Sequence, residues 1–478
     1  MATFDGIIGA VREGDLIAHF GNPLIEQRRL ASGEALAPLT DRVLIEVGGV
    51  DRLTWLDSIT SQSVARLRAG DSTELLVLDP QGRVEHAAGV LEDGSSVWLI
   101  ADDGDAEKLA AWLQRMVFRS RVTVTPRPDA ALVGFFDGGA AESRTTASAP
   151  NGVPLIWRDP WAHVQPGGHQ YAAEAGHPAA DYSWSIAVVD DADSLAGPFA
   201  GALAAEALRI AAWRPRWARE VDDRSIPHEA DWIRSAVHLN KGCYRGQETV
   251  AKVHNLGHPP RRLAALLLDG SDVVMPSPGD AVLAGDAEVG HITSVATHHE
   301  DGPIALAMLS RRAPVGELVV RAGEALIAAA QQVIVPADAG ATADRSTSAS
   351  PSGVANTASA VSVTANGGLS VWPLVVRIIP PTPARRPATT SRSCVSPTYQ
   401  HCAGVTPSAV AASSIMPGWG LRIPTSSLYT CTPKAVSSPC SARIARWLRP
   451  AWALLTIPKR MPRAVASAMT SRMPGRSA

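Results

Sequence analysis

Between residues 351 and 478 the chain carries fourteen Lys and Arg and not one Asp or Glu. The first 350 residues hold all 46 acidic residues, and at their frequency a stretch of this length would carry about 17. Solvated helices and loops use both charge signs, so two kinds of sequence are joined here: an acidic body of net charge −16 and a basic tail of +14. From residue 337 the composition turns to Ala, Ser, Thr, Pro and Arg, and Asp344–Gly367 reads as a flexible linker. One reading of the tail is a disordered arm that meets nucleic-acid phosphates. The scattered basic residues and Trp372, Trp419, Trp447 and Trp452 speak against it. Residues 337–478 are therefore expected to be disordered or mis-translated, and nucleic acid is not expected as a partner.

The body has the apolar content of a core-forming protein, with 46% hydrophobic and 19% charged residues over the whole chain. It contains no run of about 18 apolar residues, so no membrane partner is expected. The opening residues, through Asp15, carry acids where a targeting segment needs basic residues, which gives a cytoplasmic address as the expectation. Of five cysteines only Cys243 lies in the body, which excludes an internal disulfide there and a cysteine-only zinc or iron-sulfur site.

Hydrophobic spacing predicts a helix over 24–36, a strand at 43–47, and a helix after Asp51 as N-cap, with Leu53, Leu56 and Ile59 on one face. Residues 74–79, 84–91 and 97–101, separated by Pro80-Gln81-Gly82 and Glu92-Asp93-Gly94, read as a three-strand meander. A helix over 105–118 follows, with Leu109, Trp112, Leu113, Met116 and Val117 on one side, then strands near 122–124, 132–136 and 186–189 and a helix over 199–213. Helices on antiparallel strands make the body α+β. Short apolar runs with glycine turns over 261–336 predict a small antiparallel β-barrel. The expected domains are a body over 1–260, the barrel over 261–336, and the tail over 337–478.

Residues 238–258 carry most of the functional information. A strand-like approach ends at Gly242, and Tyr244–Val253 reads as a helix that would place Cys243 at its N-terminus with the Lys241 ammonium two residues before it. A helix N-terminus and a neighbouring cation both favour a thiolate, which makes Cys243 the candidate working thiol.

Lys241-Gly242-Cys243-Tyr244-Arg245-Gly246-Gln247-Glu248 resembles the Lys-Gly-Cys-Tyr-x-Gly-Gln-Glu signature of the YgfZ family, folate-binding proteins related to the T-protein (aminomethyltransferase) of the glycine cleavage system. Asp79–Arg83, Ala207–Ile210, Ile226–Glu229 and Val289–Ser294 support it in order, and the likeness covers about residues 24–336. The resemblance implies a cloverleaf-like α+β body around a tetrahydrofolate site, closed by the barrel. It also implies a role in assembling or maintaining iron-sulfur clusters in selected enzymes, including tRNA-modifying ones, with folate and iron-sulfur client or assembly proteins as partners. Cys243 would then be the working residue. Lys241, Gly242, Tyr244, Gly246, Gln247 and Glu248 would shape the site, and Arg83, Arg209 and Lys241 are the cations for a folate carboxylate.

Two departures count against aminomethyl transfer itself. Where a T-protein has Gly-Gly-hydrophobic-hydrophobic-Asp-Asp, this chain has Gly82-Arg83-Val84-Glu85-His86-Ala87, with neither acid retained, and the T-protein's Gly-Tyr-Thr-Gly-Glu segment has no counterpart in residues 150–181. Ala211-Ala212-Trp213, in place of the usual Glu-Ala-Gly, bears instead on the folate contacts of that helix. A tetrahydrofolate-dependent aminomethyltransferase or demethylase is the alternative reading. The sequence has no Walker A, GxGxxG or GxSxG pattern to support nucleotide-dependent transfer or a serine hydrolase.

Overall fold

The computed structural model describes residues 4, 7–192, 195–271 and 274–342. A ribbon of β1 (Val11–Glu13) and β2 (Leu16–His19) leads into α1 (Pro23–Ala31), where the Asn22 side chain accepts from the Leu24 and Ile25 N–H groups. After β3 (Ala37–Pro38) come β4 (Arg42–Gly48), α2 (Arg52–Ile59), β5 (Ser72–Leu78), β6 (Val84–Glu92), β7 (Ser96–Asp102), α3 (Asp103–Met116) and β8 (Thr123–Arg127). Their strands form a five-stranded antiparallel sheet in the order β5-β6-β7-β4-β8. Strand alternation sends Ile45, Val47, Val90 and Leu99 to one face, where α3 covers them with Leu109, Trp112 and Leu113.

β9 (Ala131–Phe136), α4 (Ala140–Arg144), β10 (Ile156–Arg158) and β11 (Trp184–Val189) follow, and a second antiparallel sheet runs β10-β11-β9-β3. Leu44, Leu76, Leu91 and Trp98 of the first sheet share one core with Leu132, Phe136, Trp157 and Trp184 of the second. Gly134 is required there, because a Cβ would sit 2.1 Å from the Trp184 ring. α5 (Ala202–Ala211), α6 (Trp217–Glu220), α7 (Ile233–Ala236) and α8 (Gln247–Leu256) then lead to the barrel. The barrel strands are β12 (Arg261–Leu268), β13 (Ala281–Ala284), β14 (Ala287–His298), β15 (Gly302–Ser310), β16 (Glu317–Ala322) and β17 (Ala325–Val333). Their order is β12-β15-β14-β13-β16-β17, and pairing of β12 with β17 closes the ring. The expected α+β body and antiparallel barrel are both present.

Several boundaries differ from the sequence reading. The first helix stops at Ala31 rather than 36, since the chain turns to bring Leu36 into a bridge with Phe199. That bridge also holds residues 199–201 outside α5. Asp51 precedes α2, but its carboxylate takes the Arg121 guanidinium instead of capping. Met116, assigned to the buried face of α3, is exposed. Beyond β17 the packed chain continues past Pro336: Ala339 is buried, its carbonyl lies 2.8 Å from His258 Nδ1, and Thr342 Oγ1 donates to the His254 carbonyl at 3.1 Å. The rest of the basic tail lies outside the described residues. Among the described residues no helix is long and apolar enough to cross a membrane.

Candidate functional site

The signature occupies the loop between α7 and α8 and the first turn of α8. It is seated on the Asp79–Arg83 turn that joins β5 to β6. Gly246 has φ +83, and a Cβ there would lie 2.6 Å from the Asp79 carbonyl oxygen. Only glycine satisfies both the left-handed backbone and that approach. Gly82 faces back, with space for a Cβ closed by Thr249 of α8. Two segments 160 residues apart are thus locked together, and the Arg245–Glu85 ion pair fastens the same seam.

Lys241 points inward. Its Nζ donates to the carbonyls of Asp57, Thr60 and Gln62 at 2.5, 2.9 and 2.7 Å and sits 5.4 Å above the Tyr244 ring. Burial, against the pull of Asp57, brings its pKa down to about 8. Tyr244 is buried, burial pushes its phenol up, and its hydroxyl has no hydrogen-bond partner. Gln247 Nε2 donates to the Lys241 carbonyl at 3.2 Å, tying the loop's two ends. Gly242, Cys243 and Glu248 are exposed, and Cys243 is a free thiol.

The expected helix over Tyr244–Val253 starts instead at Gln247, with Gly246 as N-cap, and no strand leads up to Gly242. Cys243 lies three residues ahead of that cap. Helix-end electrostatics fade within one turn, and the Lys241 ammonium is spent on carbonyls, so the local argument for a thiolate falls away. What remains is exposure on a loop held firmly at both ends.

The other two cations sit elsewhere. Arg209 of α5 is buried and fully engaged: it donates to both Glu206 carboxylate oxygens (2.9 and 2.6 Å), to Glu220 (3.1 Å), to the Arg214 carbonyl and to Ser294 Oγ of β14 (2.6 Å). It fastens body to barrel, and against burial, which lowers it, Glu206 and Glu220 push its pKa up. It lines a central cavity of about 100 Å³ with Trp157, Tyr182, Trp184 and Trp232. Arg83 is exposed, with its Nη1 3.5 Å from the Asp223 carbonyl, on a groove of about 730 Å³. Lys241 and Gly242 line a third space of about 680 Å³.

A small-molecule site needs some 300–1,000 Å³ with converging polar groups. The central cavity is below that range, and Arg83, Arg209 and Lys241 open on three different spaces. As a set, these residues do not form one folate pocket in this structure.

Sequence reasoning missed two arrangements. His86 Nδ1 lies 2.5 Å from Asp105 Oδ1 of α3, on the Arg83 groove, so an acid from another element stands beside the position where the T-protein acids are lost. Arg214 is buried between Glu74 (2.7 Å) and Asp159 (3.0 Å), and Arg216 binds Asp41 and Asp102, both at 2.7 Å. No spacing announces these pairs. His228 and Glu229, just before the signature, anchor loops: His228 Nε2 meets the Val250 carbonyl at 3.0 Å, and Glu229 binds Arg261.

No family model matches the chain. It is 24% identical over 302 residues to a chloroplastic protein of Arabidopsis thaliana, At1g60990, named as a candidate transferase, spanning 60% of this chain and 67% of that one. It is 26% identical over 140 residues to the aminomethyltransferase of Bordetella pertussis, covering 28% of this chain and 38% of the relative. It is also 25% identical over 248 residues to the mitochondrial iron-sulfur cluster assembly factor IBA57 homolog of Mycosarcoma maydis, covering 48% of this chain and 56% of that one. A solved glycine cleavage system aminomethyltransferase T from Bartonella henselae superposes with a TM-score of 0.52 at 17% identity, covering 69% of this chain and 94% of the other. The chain has the fold of a glycine cleavage system aminomethyltransferase.

Proposed function

We propose that this protein acts in the assembly or maintenance of iron-sulfur clusters in selected enzymes, tRNA-modifying ones among them, with Cys243 as its working thiol and with tetrahydrofolate bound at a site that Arg83, Arg209 and Lys241 do not form together. The observation that carries the reading is the presentation of Cys243: a free, exposed thiol on a loop pinned by Lys241 on one side and the Gly246 seat on the other. Pinning holds a thiol where a partner protein meets it with little ordering cost. One thiol supplies one ligand, so a cluster in transit takes its remaining ligands from the client or assembly protein. The fold and the IBA57 homolog of Mycosarcoma maydis support the same class.

The test is complementation. In a deletion strain lacking the protein, Cys243→Ala is expected to leave cluster-dependent enzyme activities as low as the deletion does; normal activities overturn the thiol role. Folate is tested separately, by titrating tetrahydrofolate and its 5-formyl analogue into the full chain and into a chain ending at Thr342. Saturable binding by both supports the folate reading, and no binding by either overturns it.

A second reading, a tetrahydrofolate-dependent aminomethyltransferase or demethylase, is favoured by the His86–Asp105 pair on its groove, since a carboxylate-oriented imidazole is a competent general base. Formation of methylene-tetrahydrofolate with release of ammonia from an aminomethyl donor, or of methyl-tetrahydrofolate with release of the demethylated amine from an N-methyl donor, lost in His86→Gln, is its expected signature.

A further inference from the structure

Arg234 of α7 is 2% exposed, yet among the described residues it has no carboxylate within ion-pair distance. The buried arginines Arg209 and Arg214, by contrast, each hold two carboxylates. The Arg234 guanidinium lies over the Trp161 ring at 4.6 Å, and its Nη1 is 2.7 Å from His177 Nε2. Its Nε has no hydrogen-bond partner among the described residues. The acids that act on it through space are already engaged: Asp231 by the Tyr171 and Ala172 N–H groups, Glu74 and Asp159 by Arg214. Guanidinium stays charged in proteins, and a buried cation without a direct counter-ion is costly.

This arginine lines a cavity of about 660 Å³, within the range of small-molecule sites. His177, kept neutral by burial and by Arg234 itself with a pKa of about 4, adds no charge to it. Two further charged groups line the cavity, Glu174 and Asp181, and both are exposed. The lining therefore holds a buried positive charge and exposed negative charges, with Val164, Ala172 and Pro178 supplying apolar wall.

A dianion would be repelled by the exposed carboxylates, and a simple cation by the arginine. We infer that this cavity binds a zwitterionic α-amino acid, its carboxylate on Arg234, its ammonium toward Glu174 and Asp181, and an apolar side chain along the wall. The site is separate from the signature loop and does not rest on the proposed function.

The test uses the full chain and three probes: leucine, 4-methylpentanoate (leucine without its ammonium) and 3-methylbutylamine (leucine without its carboxylate), titrated calorimetrically. Leucine is expected to saturate, with each analogue weaker by roughly tenfold or more. Arg234→Met is expected to weaken leucine by about a hundredfold. The exposed double variant Glu174→Gln, Asp181→Asn is expected to bring leucine down to the level of 4-methylpentanoate. Failure of leucine to saturate, equal affinity for leucine and 4-methylpentanoate, or wild-type leucine affinity in Arg234→Met overturns the inference. If Arg234→Met does not fold, the surface double variant decides, and unchanged leucine binding by it overturns the inference equally.

Discussion

The signature loop and the arginine segment Arg209–Arg216 lie in the same body and are built in opposite ways. In the arginine segment three guanidiniums are buried or nearly so, and each is matched to carboxylates: Arg209 to the nearby Glu206 and Glu220, Arg214 and Arg216 to distant ones, Glu74, Asp102 and Asp159 among them. In the signature, the thiol and Glu248 are exposed, and the fixed positions are held by backbone: a left-handed glycine and a lysine bonded to carbonyls. The dense region ties body to barrel, and only its first residues, Arg209 and Ile210, belong to a segment of the resemblance. The sparse region carries the motif, and what it fixes is the presentation of one side chain.

That contrast can be broken by substitution, and the largest effect is expected in the dense region. Arg214→Met leaves Glu74 and Asp159 buried without their cation and is expected to cost about 3–5 kcal/mol, measured by urea unfolding. Gly246→Ala forces a Cβ onto the Asp79 carbonyl in a left-handed backbone, and a loss of roughly 1–3 kcal/mol is expected. A wild-type unfolding midpoint in that variant would show that the loop does not depend on its seat.

Acid sharpens the comparison through His228, which underpins α8. Burial holds its pKa down at about 3, so it is neutral in the fold, while the unfolded chain takes up a proton below about 6.5. Stability from this group is therefore complete above pH 6.5 and declines as pH falls toward 3, by at most about 1.4 kcal/mol per pH unit. His228→Gln is expected to reduce the pH dependence of stability between pH 6 and 4 by one proton. An unchanged slope would refute it. The smallest effect belongs to the thiol: Cys243→Ser is expected to leave stability within about 0.5 kcal/mol of wild type, whatever it does to function.

Much of the architecture was legible because it is local. Alternation in residues 72–102 gives the meander, and the glycine-punctuated runs from 261 give the barrel. The start of α8 was not, because Tyr244 and Arg245 are acceptable helix residues and only contact with Asp79 makes Gly246 the cap. Arg209 read as a free cation because its partners, Glu220 and Ser294, are set by tertiary packing of α5 on β14. His86 and Asp105, 19 residues apart, meet only because α3 folds back over β6. Arg234 gave no signal, since a buried arginine without a carboxylate partner looks in sequence like any surface one.

The contact between α5 and the barrel has a consequence in time. Arg209 and Glu220 precede their partner Ser294 by 85 and 74 residues. At ribosomal rates of about 5–20 residues per second, the two buried charges emerge several seconds before β14 can meet them. The barrel itself closes only when β17 pairs with β12. A nascent chain halted before residue 294 would hold the complete signature loop on a body whose central ion cluster is still unfinished.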